Sequence, residues 1–244
     1  MDPTMEQHSI PGGHYGFSAV GLDELGASEY TLVTIAVDVS GSVSSFKNDM
    51  EKSLKEVIKA CTKSPRADNL LIRLTTFSDD VQEIHGFKLL AQINERDYDD
   101  CLKIRSLTAL YDASDNAIAA ATTYAKQLIG HDYTINAIVV VLTDGCDNTS
   151  KLNVSGVKKA LKNAVKTEDF ESIVSILIGV GVDQDDDVKT ALNKFEKEVG
   201  FTQFVKTDDA TAKTLAKLAA FISQSISSQS QALGTGQASQ PLTI

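Results

Sequence analysis

Apolar and polar positions follow two rhythms along this chain. "TLVTIAVDV", residues 31–39, is β-branched and almost continuously apolar, the mark of a strand buried on both faces of a parallel sheet. Phe46, Met50, Leu54, Val57, Ile58 and Cys61 then recur at three- and four-residue steps, opposite Lys47, Glu51, Lys55 and Lys59. That spacing predicts an amphipathic helix ending near Ser64-Pro65. "LLIRLTTF" (70–77) and "VQEIHGF" (81–87), joined by Ser78-Asp79-Asp80, read as a hairpin. A second helix is marked by Leu110, Ala113, Ala117, Ala121, Tyr124 and Leu128, and residues 135–142 form the most apolar run, short enough for a central strand. Helices marked by Val154 to Val165 and by Val188 to Val199 flank a buried strand at 172–182. "TQFVKT" closes the sheet, and Leu215, Leu218, Ile222 and Ile226 mark a last amphipathic helix.

Strands alternating with helices predict an α/β fold: a doubly wound, mostly parallel sheet with helices on both faces and one antiparallel edge strand. Residues 30–226 are expected to form one domain. Residues 1–29 form an N-terminal extension with no core of its own, lying across the surface or mobile. Residues 227–244 are too polar and rich in small side chains to pack, so a disordered tail is expected.

Composition narrows the function. The chain has 244 residues, 23 Lys+Arg against 33 Asp+Glu and a formal charge of −10. No basic block is present that could follow a phosphate backbone, so nucleic acid is not an expected partner. The first residues lack a basic start and an apolar core of signal-peptide length, and no apolar run approaches the roughly 18 residues needed to span a bilayer. The expectation is a cytoplasmic protein without a membrane partner. Cys61, Cys101 and Cys146 are odd in number and scattered, which fits reduced thiols better than a disulfide framework or a zinc site.

Candidate chemistry gathers at strand ends, where doubly wound sheets bind ligands. Asp38, Ser40 and Ser42 alternate after the first long strand and can face one point, with Gly41 giving the loop room to bend. The strand at 135–142 runs into "LTDG", which exposes Asp144, and Thr108 stands just ahead of the second helix. Oxygen donors alone suit a hard divalent ion such as Mg²⁺, or Mn²⁺, whereas zinc favours His or Cys. The bland alternatives are a strand-to-helix turn with Ser44 or Ser45 as a helix cap, a turn aspartate at 144, an N-cap at Thr108, and Asp112 and Asp115 as helix-dipole partners. In "GVGVDQDDDVK", Gln184 breaks a dinucleotide loop, and Val188 and Lys194 break a calcium loop, which leaves the aspartates as helix caps.

"DVSGS" after a strand, "TALYDA" opening a helix and "LTDG" after the central strand, in this order within a domain of about 195 residues, resemble the von Willebrand factor type A (VWA) domains that carry a metal-ion-dependent adhesion site. The resemblance implies hydroxyl ligands from Ser40, Ser42 and Thr108, with Asp38 and Asp144 binding the ion directly or through water. It also implies that an Asp or Glu of a protein partner enters as the last ligand. Ser106-Leu107 stand where the family commonly has two glycines. The expected function is a non-enzymatic, Mg²⁺-dependent protein-binding module within an intracellular assembly. The competing readings are a Mg²⁺-dependent phosphohydrolase with Asp38 as nucleophile, weakened by Ser40 at the place of a second aspartate, and an architectural domain whose site binds no metal.

Overall fold

A computed structural model describes residues 4–13, 15–166 and 170–236. Its centre is an eight-stranded sheet of order β1-β2-β5-β4-β3-β6-β7-β8. Strands β3 (Glu29–Asp38) and β6 (Thr134–Thr143) lie side by side at its heart, each with nine of its ten residues buried. β4 (Leu70–Phe77), β7 (Ile173–Gly179) and β8 (Gln203–Lys206) run parallel to them. The continuous apolar runs of β3 and β6 follow from burial on both faces.

Alternate side chains of those strands feed two cores. Leu32, Ala36, Val139 and Val141 pack with Ala113, Ala117, Ala121 and Tyr124 of α2 (Leu110–Ile129), together with α3 (Val154–Lys166) and α4 (Asp186–Val199). Val33, Ile35, Val37, Ile138 and Val140 pack on the other face with Leu54 and Ile58 of α1 (Lys47–Cys61) and Leu218 and Ile222 of α5 (Ala212–Thr235). The chain moves from β3 towards β4 and from β6 towards β7, so strand order reverses between β3 and β6. The carboxyl ends of these two strands form the crevice of a doubly wound sheet.

The fold class is as expected, and three boundaries differ. β5 (Val81–Leu89) is antiparallel to β4 but lies inside the sheet. Beyond it the first 29 residues supply two more strands, β2 (Gly16–Val20), parallel to β5 through Ala19 and Phe87, and the outermost strand β1 (Met5–Ser9). Phe17, Ala19 and Val20 are buried, and Tyr124 Oη donates to the Val20 carbonyl at 2.8 Å. The extension is therefore part of the sheet. At the other end, α5 continues through residue 235 instead of stopping at 226. Its last turns are polar yet packed: Gln229 Nε2 donates to Ala137 O (3.1 Å) and Ser172 Oγ (2.9 Å), and Arg66 Nε donates to Ser230 Oγ (3.2 Å). Polar partners at the foot of the sheet replace the apolar burial that the sequence lacks. Residues 237–244 of the expected disordered tail lie outside the described residues.

Gly86 fixes where β2 can sit. A Cβ there would stand 2.0 Å from the Ser18 carbonyl oxygen, so the backbones of β2 and β5 meet only because residue 86 has no side chain. Gly86→Ala is expected to lower unfolding free energy by about 2 kcal/mol through overpacking. Limited proteolysis should then cut between β1 and β2 well before the rest of the domain; unchanged protection would refute this pairing.

Candidate metal centre

β3 delivers Asp38 at its last position, and the backbone turns into a short 3₁₀ segment over 41–45 that leads into α1. Phe46, not Ser44 or Ser45, occupies the position before α1, and it has no side-chain cap. Ser40 N donates to Asp38 Oδ1 at 2.8 Å, which fixes the loop against the carboxylate. Thr143, the last residue of β6, donates through Oγ1 to Asp38 Oδ2 at 2.6 Å. Ser42 Oγ donates to Asp144 Oδ1 at 2.8 Å, and the hydroxyl oxygens of Ser40 and Ser42 are 3.2 Å apart. A continuous chain of hydrogen-bonded groups, which includes the Ser40 backbone N–H, thus joins Asp38, Ser40, Ser42 and Asp144 across the crevice.

Thr108 belongs to the same rim but is not joined through its hydroxyl. It is buried, its backbone N donates to Asn148 Oδ1 at 2.8 Å, and Asn148 N returns a bond to its carbonyl at 2.9 Å. Among the described residues its side chain forms no hydrogen bond with the other four. Ser150 Oγ accepts from Tyr111 N and Asp112 N, both at 3.1 Å, while Asp112 accepts from Lys151 N and Leu152 N. The loop after β6 and the start of α2 are thereby locked together. Asp112 is a tether between loops, beyond the dipole role expected of it.

Electrostatics favour a cation. Asp38 is 2% exposed, and burial pushes its pKa up to about 6, against the bonds from Thr143 and Ser40; repulsion from Asp144 adds to the rise. Burial also raises Asp144, with the Ser42 bond opposing. Two carboxylates that share a crevice, one buried and one half-buried, with no cationic partner among the described residues hold their charge poorly, and a divalent ion would reverse that penalty. The donor set is oxygen only, and among the described residues no group of three or more His, Cys, Asp or Glu could hold a metal. Oxygen donors of this kind suit a hard cation whose shell is completed by outside ligands.

Sequence reasoning does not assign Thr143, Asn148 or Ser150 to the site. Thr143 sits inside "LTDG", next to the residue that drew attention, and Asn148 and Ser150 lie in a polar turn of the kind that caps neighbouring backbone. Asp185 does cap α4, accepting from Asp187 N and Val188 N at 3.1 Å each. Among the described residues no helix is long and apolar enough to cross a membrane.

No curated protein matches the chain. Solved structures do. Proximal thread matrix protein 1 from the mussel byssus shares 19% identity at a TM-score of 0.59, covering 82% of this chain and 47% of that one. The PilB minor pilin of Streptococcus sanguinis shares 14% at 0.57, covering 82% and 62%. The pilus adhesin SpaC of Lactobacillus rhamnosus GG shares 9% at 0.61, covering 93% and 35%. The chain thus spans about half the length of the mussel protein, which has also been solved with zinc in its metal-ion-dependent adhesion motif. At these identities the likeness shows the fold. The sequence model for the von Willebrand factor type A domain matches residues 33–220, from the first central strand into α5, and the chain belongs to that family.

Proposed function

We propose that this domain binds a protein partner through a Mg²⁺ ion held at the carboxyl ends of β3 and β6. Domains of this family generally mediate protein–protein interaction, are typically non-enzymatic, and often hold a divalent metal. The observation that carries the reading is the hydrogen-bonded chain Asp38–Ser40–Ser42–Asp144, with both carboxylates raised by burial. Ser40, Ser42 and Thr108 would present hydroxyls, and Asp38 and Asp144 would hold the ion directly or through water. When bound, the ion would supply a positive centre with coordination positions left for an outside Asp or Glu.

Asp38 supports binding over catalysis. Ser40 stands two residues after it, where a phosphohydrolase with an aspartate nucleophile would use a second aspartate as acid and base. The test is calorimetric titration of Mg²⁺ and Mn²⁺ into the purified chain. Saturable binding is expected in the wild type and none in Asp38→Ala, with weakened binding in Thr108→Ala. Because the ion requires ionised Asp38, affinity should fall as pH drops through about 6. Equal binding by wild type and Asp38→Ala would defeat the assignment.

A further inference from the structure

The face around the proposed ion is lopsided in charge and in polarity. Beyond β7 and β8 the loops and the first turn of α4 carry Asp183, Asp185, Asp186, Asp187, Asp208 and Asp209, all exposed or half-buried. Three ammonium groups act on them: Lys189, which pairs with Asp183 at 2.9 Å, and Lys206 and Lys217. Six carboxylates against three ammonium groups leave this flank negative. On the other flank, beyond β4, Asp79 and Asp80 are both gripped by Arg105, at 3.0 and 2.7 Å. That side is left with one uncompensated carboxylate, against three on the β7–β8 side.

The less acidic side also carries Leu107. It is 41% exposed, one of two large hydrophobic side chains exposed among the described residues, and it directly precedes Thr108. Its exposure is not slack in the loop. Arg105 N donates to the Val39 carbonyl at 2.8 Å, Thr108 N to Asn148 Oδ1, and Ala109 N to the Ser78 carbonyl. The backbone on either side is pinned, which holds the leucine outward at the rim. A preorganised apolar side chain beside a polar centre contributes contact area at low ordering cost.

Resting on the metal reading above, we propose that the partner is a basic segment whose ligating Asp or Glu lies between two unlike neighbours. A large apolar side chain on one side packs on Leu107. Lys or Arg on the other side reaches the aspartates after β7 and β8. In sheet order the β3–β6 crevice lies between these two flanks, so one extended segment crossing the sheet end meets all three features. Charge complementarity also steers the encounter, since an acidic partner would be repelled from the β7–β8 side.

The test is selection from a random-peptide display library with one fixed aspartate, captured in Mg²⁺ and eluted with EDTA. The expected peptides carry Lys or Arg on one side of the aspartate and Leu, Ile, Met or Phe on the other. With the triple variant Asp186→Asn, Asp187→Asn, Asp208→Asn the basic preference should vanish and the apolar one persist; with Leu107→Ser the reverse should hold. For a synthetic version of a selected peptide, Leu107→Ser should weaken binding about tenfold, and the triple variant should slow association and flatten its salt dependence. EDTA-eluted peptides without charge bias, or with an acidic one, would overturn this inference and leave the metal reading standing. Failure to enrich any EDTA-sensitive peptide would overturn both.

Discussion

Saturating Mn²⁺ should raise the thermal unfolding midpoint of the wild type by roughly 5–10 °C, and Asp38→Asn should abolish that rise. An ion that binds only the folded state stabilises it by about 2.7 kcal/mol at a hundred times its dissociation constant. For a domain of this size each kcal/mol moves the midpoint by about 2–4 °C. The variant also has a sign of its own. Without metal, Asp38 is a buried carboxylate with its pKa raised to about 6. Its folded value lies above the unfolded one, so the stability it contributes is present below the ordinary value of 3.8 and is lost as pH rises through about 6. At neutral pH in EDTA the charged carboxylate is therefore a burden, and Asp38→Asn, a neutral isostere able to accept from Ser40 N, should be as stable as the wild type or more so. A variant more stable than its parent yet blind to metal is the signature of a site kept for binding at the expense of stability. A variant that is both less stable in EDTA and still responsive to Mn²⁺ would contradict this.

The second large effect lies in the core. Arg73 of β4 is 1% exposed; its Nε donates to Glu83 Oε2 at 2.6 Å and its Nη2 to Asn116 Oδ1 at 3.0 Å. Burial lowers the guanidinium pKa, and Glu83 opposes that shift. The same carboxylate accepts from Ser18 N (2.9 Å) and Ser18 Oγ (2.6 Å), which ties β2 to the hairpin strands β4 and β5. Glu83→Ala leaves a buried guanidinium without its counter-charge and frees Ser18. Breaking one partner of a buried pair costs about 3–5 kcal/mol, so the midpoint should fall by roughly 6–20 °C. Replacing both residues, with Arg73→Met added, should restore most of the loss, because the penalty comes from the stranded charge. If Glu83→Ala alone is nearly neutral in chemical unfolding, the ion pair does not hold this part of the sheet together.

What the sequence revealed depends on how local each signal is. β3 and β6 were legible because burial on both faces writes itself as an unbroken apolar run, and Asp38 and Asp144 because carboxylates directly follow those runs. β1 and β2 were not. Each is five residues long, and β2 finds its partner across the gap from Ala19 to Phe87, a pairing that no local pattern encodes. Only Gly86 hints at it, and its reason appears once the Ser18 carbonyl is seen beside it. The end of α5 failed for a related reason: Gln229 and Ser230 read as solvated, yet Ala137, Ser172 and Arg66 meet them in space. At the candidate site the ligand types were legible, but the parts that aim them were not. Thr143 against Asp38 and Asn148 against Thr108 arise from loops brought together by the sheet.

The most direct test is crystallisation in Mn²⁺ with measurement of anomalous scattering. A peak is expected in the crevice between the Ser40 and Ser42 hydroxyls and the Asp38 and Asp144 carboxylates, with Thr108 turned towards it, and no such peak in Asp38→Asn. A wild-type crystal whose manganese lies elsewhere, with the Ser42–Asp144 bond intact, would contradict the claim that these strand ends are a metal centre.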